Sequence, residues 1–210
     1  QRRRRTNACG RMSDRGSPRS RGIRGGAGEN PCAGRVMSLP GLRRLPGILP
    51  TSIPMKLVSL LSERRILPEM VSETHWDALG ELVDHLISTG RVESGQRVDV
   101  LEALHAREEQ VSTGIGHGVA IPHCYCEWVE EPVVALGRSS GGIDFEACDN
   151  APVHFVILLI VPKNQPHAHL QTLASIAELF SQCEVRKKMT EALTAGDLIR
   201  TLEECEEEAA

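Results

Sequence analysis

The sequence predicts an α/β fold: a three-layer domain with a β-sheet flanked by helices on both faces. Three observations carry this expectation. Apolar stretches of strand length occur at Gly118 to Ile121, Val133 to Gly137 and Val153 to Val161. Segments with helical spacing lie on both sides of them in the chain. The stretch from Val153 to Val161 is interrupted only by His154, the pattern of a strand covered on both faces.

The elements follow in order. Leu57 to Leu61 reads as a short first turn or helix. Thr74, with Asp77 three residues on, starts a helix whose inner stripe is Trp76, Leu79, Val83 and Leu86 and which stops at Gly90. A second helix spans about Gln96 to Glu108, with Val98, Leu101 and Leu104 facing inward. After the strands come helices from about Ala168 to Ser181, around Glu184 to Leu193, and from Asp197 to Glu204. Gly196–Asp197 is the expected cap between the last two. Glu203 to Glu208 reads as a frayed acidic end, and residues 206–210 as an acidic tail.

Composition narrows the class. Of 210 residues 40% are hydrophobic, which excludes a wholly disordered chain. The longest apolar run is far too short to cross a bilayer, so no membrane insertion is expected. The net charge of −4 hides a division. Residues 1–50 carry twelve Arg against Asp14 and Glu29, a balance of +10, and the remainder carries −14. Residues 1–54 therefore read as a disordered Arg/Gly/Pro-rich extension and linker, with Pro40, Pro46, Pro50 and Pro54 keeping its last part extended. Met37 and Met55 are both suitable starts. A solvated extension is favoured over an organellar leader or a nucleic-acid arm, and no nucleic acid is expected as a partner of the acidic remainder. Seven cysteines without the dense spacing of a disulfide scaffold, and no apolar leader, point to a reducing, cytoplasmic setting.

The chemistry concentrates in Ser112-Thr113-Gly114-Ile115-Gly116-His117-Gly118-Val119-Ala120-Ile121-Pro122-His123. Gly114, Gly116 and Gly118 allow close backbone approach and inward-turned amides. Ser112 and Thr113 add hydroxyls, and Arg107 stands upstream to neutralise an anion. Together they suit a phosphorylated imidazole at His123. A plain hairpin with a buried histidine explains the spacing equally well. The glycines do not follow the dinucleotide pattern, and no Gly-Lys-Ser/Thr follows, so a nucleotide site is disfavoured. Further on, His169, Leu173, Ile176 and Phe180 share one helix face, which aims His169 at the sheet. His167 lies off that face and reads as solvated. Taken alone, His169 fits a satisfied core histidine.

The block Arg107-Glu108, Ser112 to Gly116 and Gly118 to His123 closely resembles the enzyme IIA domain of the fructose/mannitol family of the bacterial sugar phosphotransferase system. The likeness continues through Ile143-Asp144-Phe145, Asp149, Pro152-Val153, His169-Leu170, Leu173-Ala174 and Ile176-Ala177. It covers about Met55 to Glu204, and a domain over 55–205 is expected. The opening Met55-Lys56-Leu57 looks most like the stand-alone nitrogen-regulatory branch.

The resemblance implies a mixed β-sheet flanked by helices on both faces, and a phosphotransferase role. His123 would accept a phosphoryl group from the phosphohistidine of HPr or its nitrogen-branch paralogue, with His169 and Arg107 completing the site. Ser112, Thr113, Gly114, Gly116 and Gly118 would bind the phosphate. Nitrogen-branch members act by phosphorylation state on targets such as potassium-transport regulators and sensor kinases; sugar-specific members pass the group to a IIB cysteine. An interaction module with a silent site is the third possibility. No cofactor is implied, because the donor is already an activated phosphoramidate. One departure stands out: the family often carries a small residue and then Arg after the active histidine, where this chain has Cys124-Tyr125-Cys126. A metal site built from His123, Cys124, Cys126 and His117 is disfavoured, because neighbouring strand residues point to opposite faces.

Overall fold

The computed structural model describes residues 56–164 and 166–208, all within the second of two units that divide at Arg43–Arg44. The extension over 1–54 and both suggested starts, Met37 and Met55, lie outside the described residues.

Among the described residues six strands form one mixed sheet. They are β1 (Ile66–Leu67), β2 (Gly114–Gly116), β3 (Val119–Ala120), β4 (His123–Cys126), β5 (Val133–Ile143) and β6 (Val153–Pro162). Their order is β1-β5-β6-β3-β2, and β4 also pairs with β6. β5 and β6 run antiparallel, β1 runs parallel to β5, and β3 and β4 both run parallel to β6. β3 and β4 lie end to end along one side of β6, because Ile121-Pro122 interrupts them. Pro122 has no N–H to give a ladder, yet its carbonyl still accepts from the Leu159 amide at 2.9 Å. The register therefore survives the break: Ala120 faces Val156, and His123 faces Leu159.

Burial on both faces of β6 builds the three layers. Val156, Leu158 and Ile160 join Ala120, Cys124 and Cys126 beneath α2 (His75–Ser88) and α3 (Arg97–Glu108). Phe155, Ile157, Leu159 and Val161 join Val119 and Ile121 on the opposite side. That side is covered by α1 (Leu57–Leu60), α4 (Pro166–Ser181), α5 (Cys183–Glu191) and α6 (Ala195–Glu208). None of the helices among the described residues is long and apolar enough to cross a membrane.

Several local expectations shift. The buried stripe of α2 is Ala78, Leu79, Leu82, Val83 and Leu86, while Trp76 is exposed and packs its ring on His75 and His105. On α3 the buried positions are Val100 and Leu104, and Val98 is exposed. β5 continues past Gly137 because Arg138, though buried, donates to the Glu69 carboxylate and to the Pro68 and Thr190 carbonyls. The cap of α6 is Thr194, whose hydroxyl accepts from the Asp197 amide at 3.1 Å, in place of Gly196–Asp197. α6 also runs through the expected acidic tail to Glu208, and Glu206 accepts from the Leu57 amide at 2.6 Å. The acidic end is thus part of the fold as far as Glu208, tying the first helix to the last.

Leu158 is fully buried in the central strand. Leu158→Ala should destabilise the domain by about 2–5 kcal/mol, read as a lower urea midpoint at unchanged slope. Removing the α6 cap with Thr194→Ala should cost about 1 kcal/mol in the same measurement.

Candidate functional site

β4 sorts its side chains by the two-residue period of a strand. Cys124 and Cys126 point into the core beneath α2 and α3, with sulfurs 3.9 Å apart. His123 and Tyr125 pair with Leu159 and Val161, so they face the α4 layer. The two thiols and the His123 imidazole therefore sit on opposite sides of the sheet and share no coordination sphere.

His123 is half-buried and held at both nitrogens. Nδ1 lies 3.0 Å from the Ile121 carbonyl, and the Arg107 Nε–H donates to Nε2 at 3.2 Å. A carbonyl only accepts and a guanidinium only donates. The proton of the neutral ring is thereby placed on Nδ1, and the lone pair on Nε2. Burial holds the imidazole below the usual histidine range; the Ile121 bond opposes this, the Arg107 charge adds to it, and Glu108 opposes it.

Arg107 comes from the last turn of α3, where a second bond, Nη1 to the Val111 carbonyl at 2.9 Å, keeps its fork in place. The next residue, Glu108, is buried and accepts from both the amide and the hydroxyl of Thr113 at 2.7 Å each. That clamp closes the turn between α3 and β2 and so fixes the residue that carries the guanidinium.

α4 supplies His169, 3% exposed, with its ring centroid 5.0 Å from that of His123 and 5.1 Å from that of Tyr125. Both of its nitrogens are buried without a hydrogen-bond partner. Burial, reinforced by His123 and Arg107, lowers its pKa to about 4. At neutral pH the site thus holds two uncharged imidazoles and one guanidinium, with unspent hydrogen-bonding capacity on His169.

The glycine segment is a hairpin. β2 and β3 pair antiparallel, and the turn between them puts Gly116, His117 and Gly118 at φ of +88°, +57° and +78°. Glycine adopts that region freely, whereas His117 is held there by its amide bond to Asp149 Oδ2 at 2.8 Å.

Comparison with known proteins now adds to the geometry. The family described as "Phosphoenolpyruvate-dependent sugar phosphotransferase system, EIIA 2" matches residues 59–205. The chain belongs to this family. It is 35% identical over 142 residues to the PTS system fructose-specific EIIA component of Haloferax volcanii, covering 68% of this chain and 86% of that protein. It is 35% identical over 136 residues to a nitrogen regulatory protein of Bradyrhizobium diazoefficiens, covering 64% and 86%. Its 34% identity to the fructose-specific EIIABC component of Bacillus subtilis spans 69% of this chain but 22% of that longer protein. Among solved structures it is similar to nitrogen regulatory protein IIA-Ntr of Neisseria meningitidis, with a TM-score of 0.63, 30% identity and coverage of 69% and 97%. The mannitol IIA of Escherichia coli, at 20% identity and a TM-score of 0.57, shares the fold.

Within this IIA domain, Arg107, His123 and His169, predicted from distant points of the sequence, meet in one place. The residues expected to bind phosphate have partners within the protein. The Ser112 hydroxyl donates to the Phe145 carbonyl at 2.7 Å and accepts from the Gly114 amide at 3.1 Å, and the Thr113 hydroxyl donates to Glu108. Ser112, Thr113 and Gly114 therefore spend these groups on the protein itself, and Gly116 and Gly118 serve the turn. Glu108 and Tyr125 are the residues whose roles sequence reading missed. Tyr125 follows His123 by two, which is the signal for a shared strand face, but the apolar pattern ends the strand at Ile121 and hides it.

The folded-state pKa values of both His123 and His169 lie below the unfolded one, so the unfolded chain takes up protons first on acidification. Their contribution to stability should be whole above about pH 6.5 and be lost as the pH falls toward 4. Urea unfolding between pH 7.5 and 4.5 checks this, and His169→Leu should flatten the decline.

Proposed function

We propose that this IIA protein carries a phosphoryl group on Nε2 of His123, taken from the phosphohistidine of an HPr-like carrier protein. The observation that supports this is the pair of contacts at the ring, Nδ1 on the Ile121 carbonyl and Nε2 on the Arg107 Nε–H, which assigns the proton to Nδ1 and the lone pair to Nε2. A neutral imidazole whose Nε2 keeps a lone pair, met here by the Arg107 Nε–H, is the nucleophile that in-line attack on phosphorus needs. As the Nε2–P bond forms, the carrier's N–P bond breaks and its imidazole leaves. Arg107, already within hydrogen-bond distance of Nε2, then finds phosphoryl oxygens in place of the lone pair. The unpartnered nitrogens of His169 offer a second donor once that ring is protonated, which the added negative charge favours. The donor is itself an activated phosphoramidate, so the residues present suffice.

The charged group then sets partner choice. The likeness to nitrogen regulatory proteins favours a regulatory role, in which target proteins read the phosphorylation state of His123. The similarity to the fructose-specific EIIA component supports a second reading, donation of the group to a IIB cysteine.

Incubation with enzyme I, the carrier and phosphoenolpyruvate should add one phosphoryl group by intact mass, and His123→Ala should abolish it. Arg107→Ala should slow labelling about 10²–10³-fold, the usual loss for one transition-state donor. Labelling that persists in His123→Ala would refute the assignment. Adding a IIB domain separates the two roles, since rapid loss of label to its cysteine marks the sugar-specific one.

A further inference from the structure

We propose that Tyr125 is a positioning residue for His169, its ring holding that imidazole against His123 and closing it off from water. Tyr125 and His123 stand two residues apart on the same face of β4, roughly 6.6 Å along the strand. The His169 ring occupies the space above them, with centroids 5.0 Å from His123 and 5.1 Å from Tyr125. The interplanar angle to Tyr125 is 74°, an edge-to-face contact within the range aromatic pairs favour.

A functional imidazole is ordinarily oriented by a hydrogen bond at its second nitrogen. His169 has none: both nitrogens are buried and unpartnered. What fixes its ring is packing, and Tyr125 supplies a second aromatic contact beside that of His123. Tyr125 is itself 44% exposed while His169 is 3% exposed, so the phenol forms the outer wall of the pair. Among the described residues, the titratable and charged groups facing His169 are His123 and Tyr125 from β4 and Arg107 from α3. Two of these disfavour a charged His169, and burial disfavours it most. Removing the wall admits water, lifting the largest of those effects while leaving both others in place.

The kinetic part of this proposal rests on the phosphoryl-carrier reading, whereas the titration part does not. Imidazole NMR on the full chain tests the latter. In the wild type, His169 ring protons should carry a ring-current shift that shrinks in Tyr125→Ala to the part due to His123. The His169 midpoint, about 4 in the wild type, should rise by about one unit or more toward the ordinary 6.5 in Tyr125→Ala and stay put in Tyr125→Phe. Carrier-dependent labelling of His123 should slow about tenfold to a hundredfold in Tyr125→Ala and recover in Tyr125→Phe. An unshifted His169 in the wild type, or an unchanged midpoint in Tyr125→Ala, overturns the proposal. A shifted midpoint with unchanged labelling overturns its kinetic part. If the wild type takes no label at all, the carrier reading fails and the NMR result still decides the role of Tyr125.

Discussion

One proton position governs the site. The Ile121 carbonyl can only accept, so it keeps the His123 proton on Nδ1. With the proton on Nε2 instead, the Arg107 Nε–H would face another N–H and the pair would repel. The bond to Ile121 in turn depends on the break at Pro122, which lets a strand end and restart without losing its place on β6. A backbone irregularity thus decides which ring nitrogen is available for chemistry.

The surroundings are arranged around that nitrogen from two layers. α3 contributes Arg107 from one face of the sheet, and the buried Glu108–Thr113 clamp holds the end of that helix. α4 contributes His169 from the other face, with its polar atoms unsatisfied. Burying two imidazoles beside a guanidinium keeps both rings neutral, since burial and the positive neighbour each oppose charging them. On the carrier reading, a phosphoryl group reverses that balance. It brings negative charge to a place already supplied with donors, so the residues that disfavour protonation in the free site become its partners.

Much of this was legible in the chain. Val153 to Val161 is apolar at positions of both parities, which no half-exposed strand tolerates, and it became the central strand. His169 shares its helix face with Ile176 and Phe180, which aimed it correctly at the sheet. Less could be read where tertiary contacts override local pattern. Trp76 fits the α2 stripe by spacing, yet it lies outside, because the sheet takes the Leu79–Leu82–Leu86 side. β4 carries His, Cys, Tyr and Cys, a composition with no strand-like apolar run; it is a strand because β6 offers it a ladder.

The sequence by itself determined the three layers, because periodicity is a local property, and its motifs carried the resemblance that pointed to the family and to three of the side chains that meet at the site. Only the tertiary structure decided which groups the hydroxyls before His123 bond to, which imidazole nitrogen bears the proton, and that Tyr125 packs against His169. Hydrogen-bond partners such as Phe145 for Ser112, and ring contacts between β4 and α4, join residues more than thirty positions apart. No spacing rule reaches that far; a partner is chosen only when the sheet brings the two segments together.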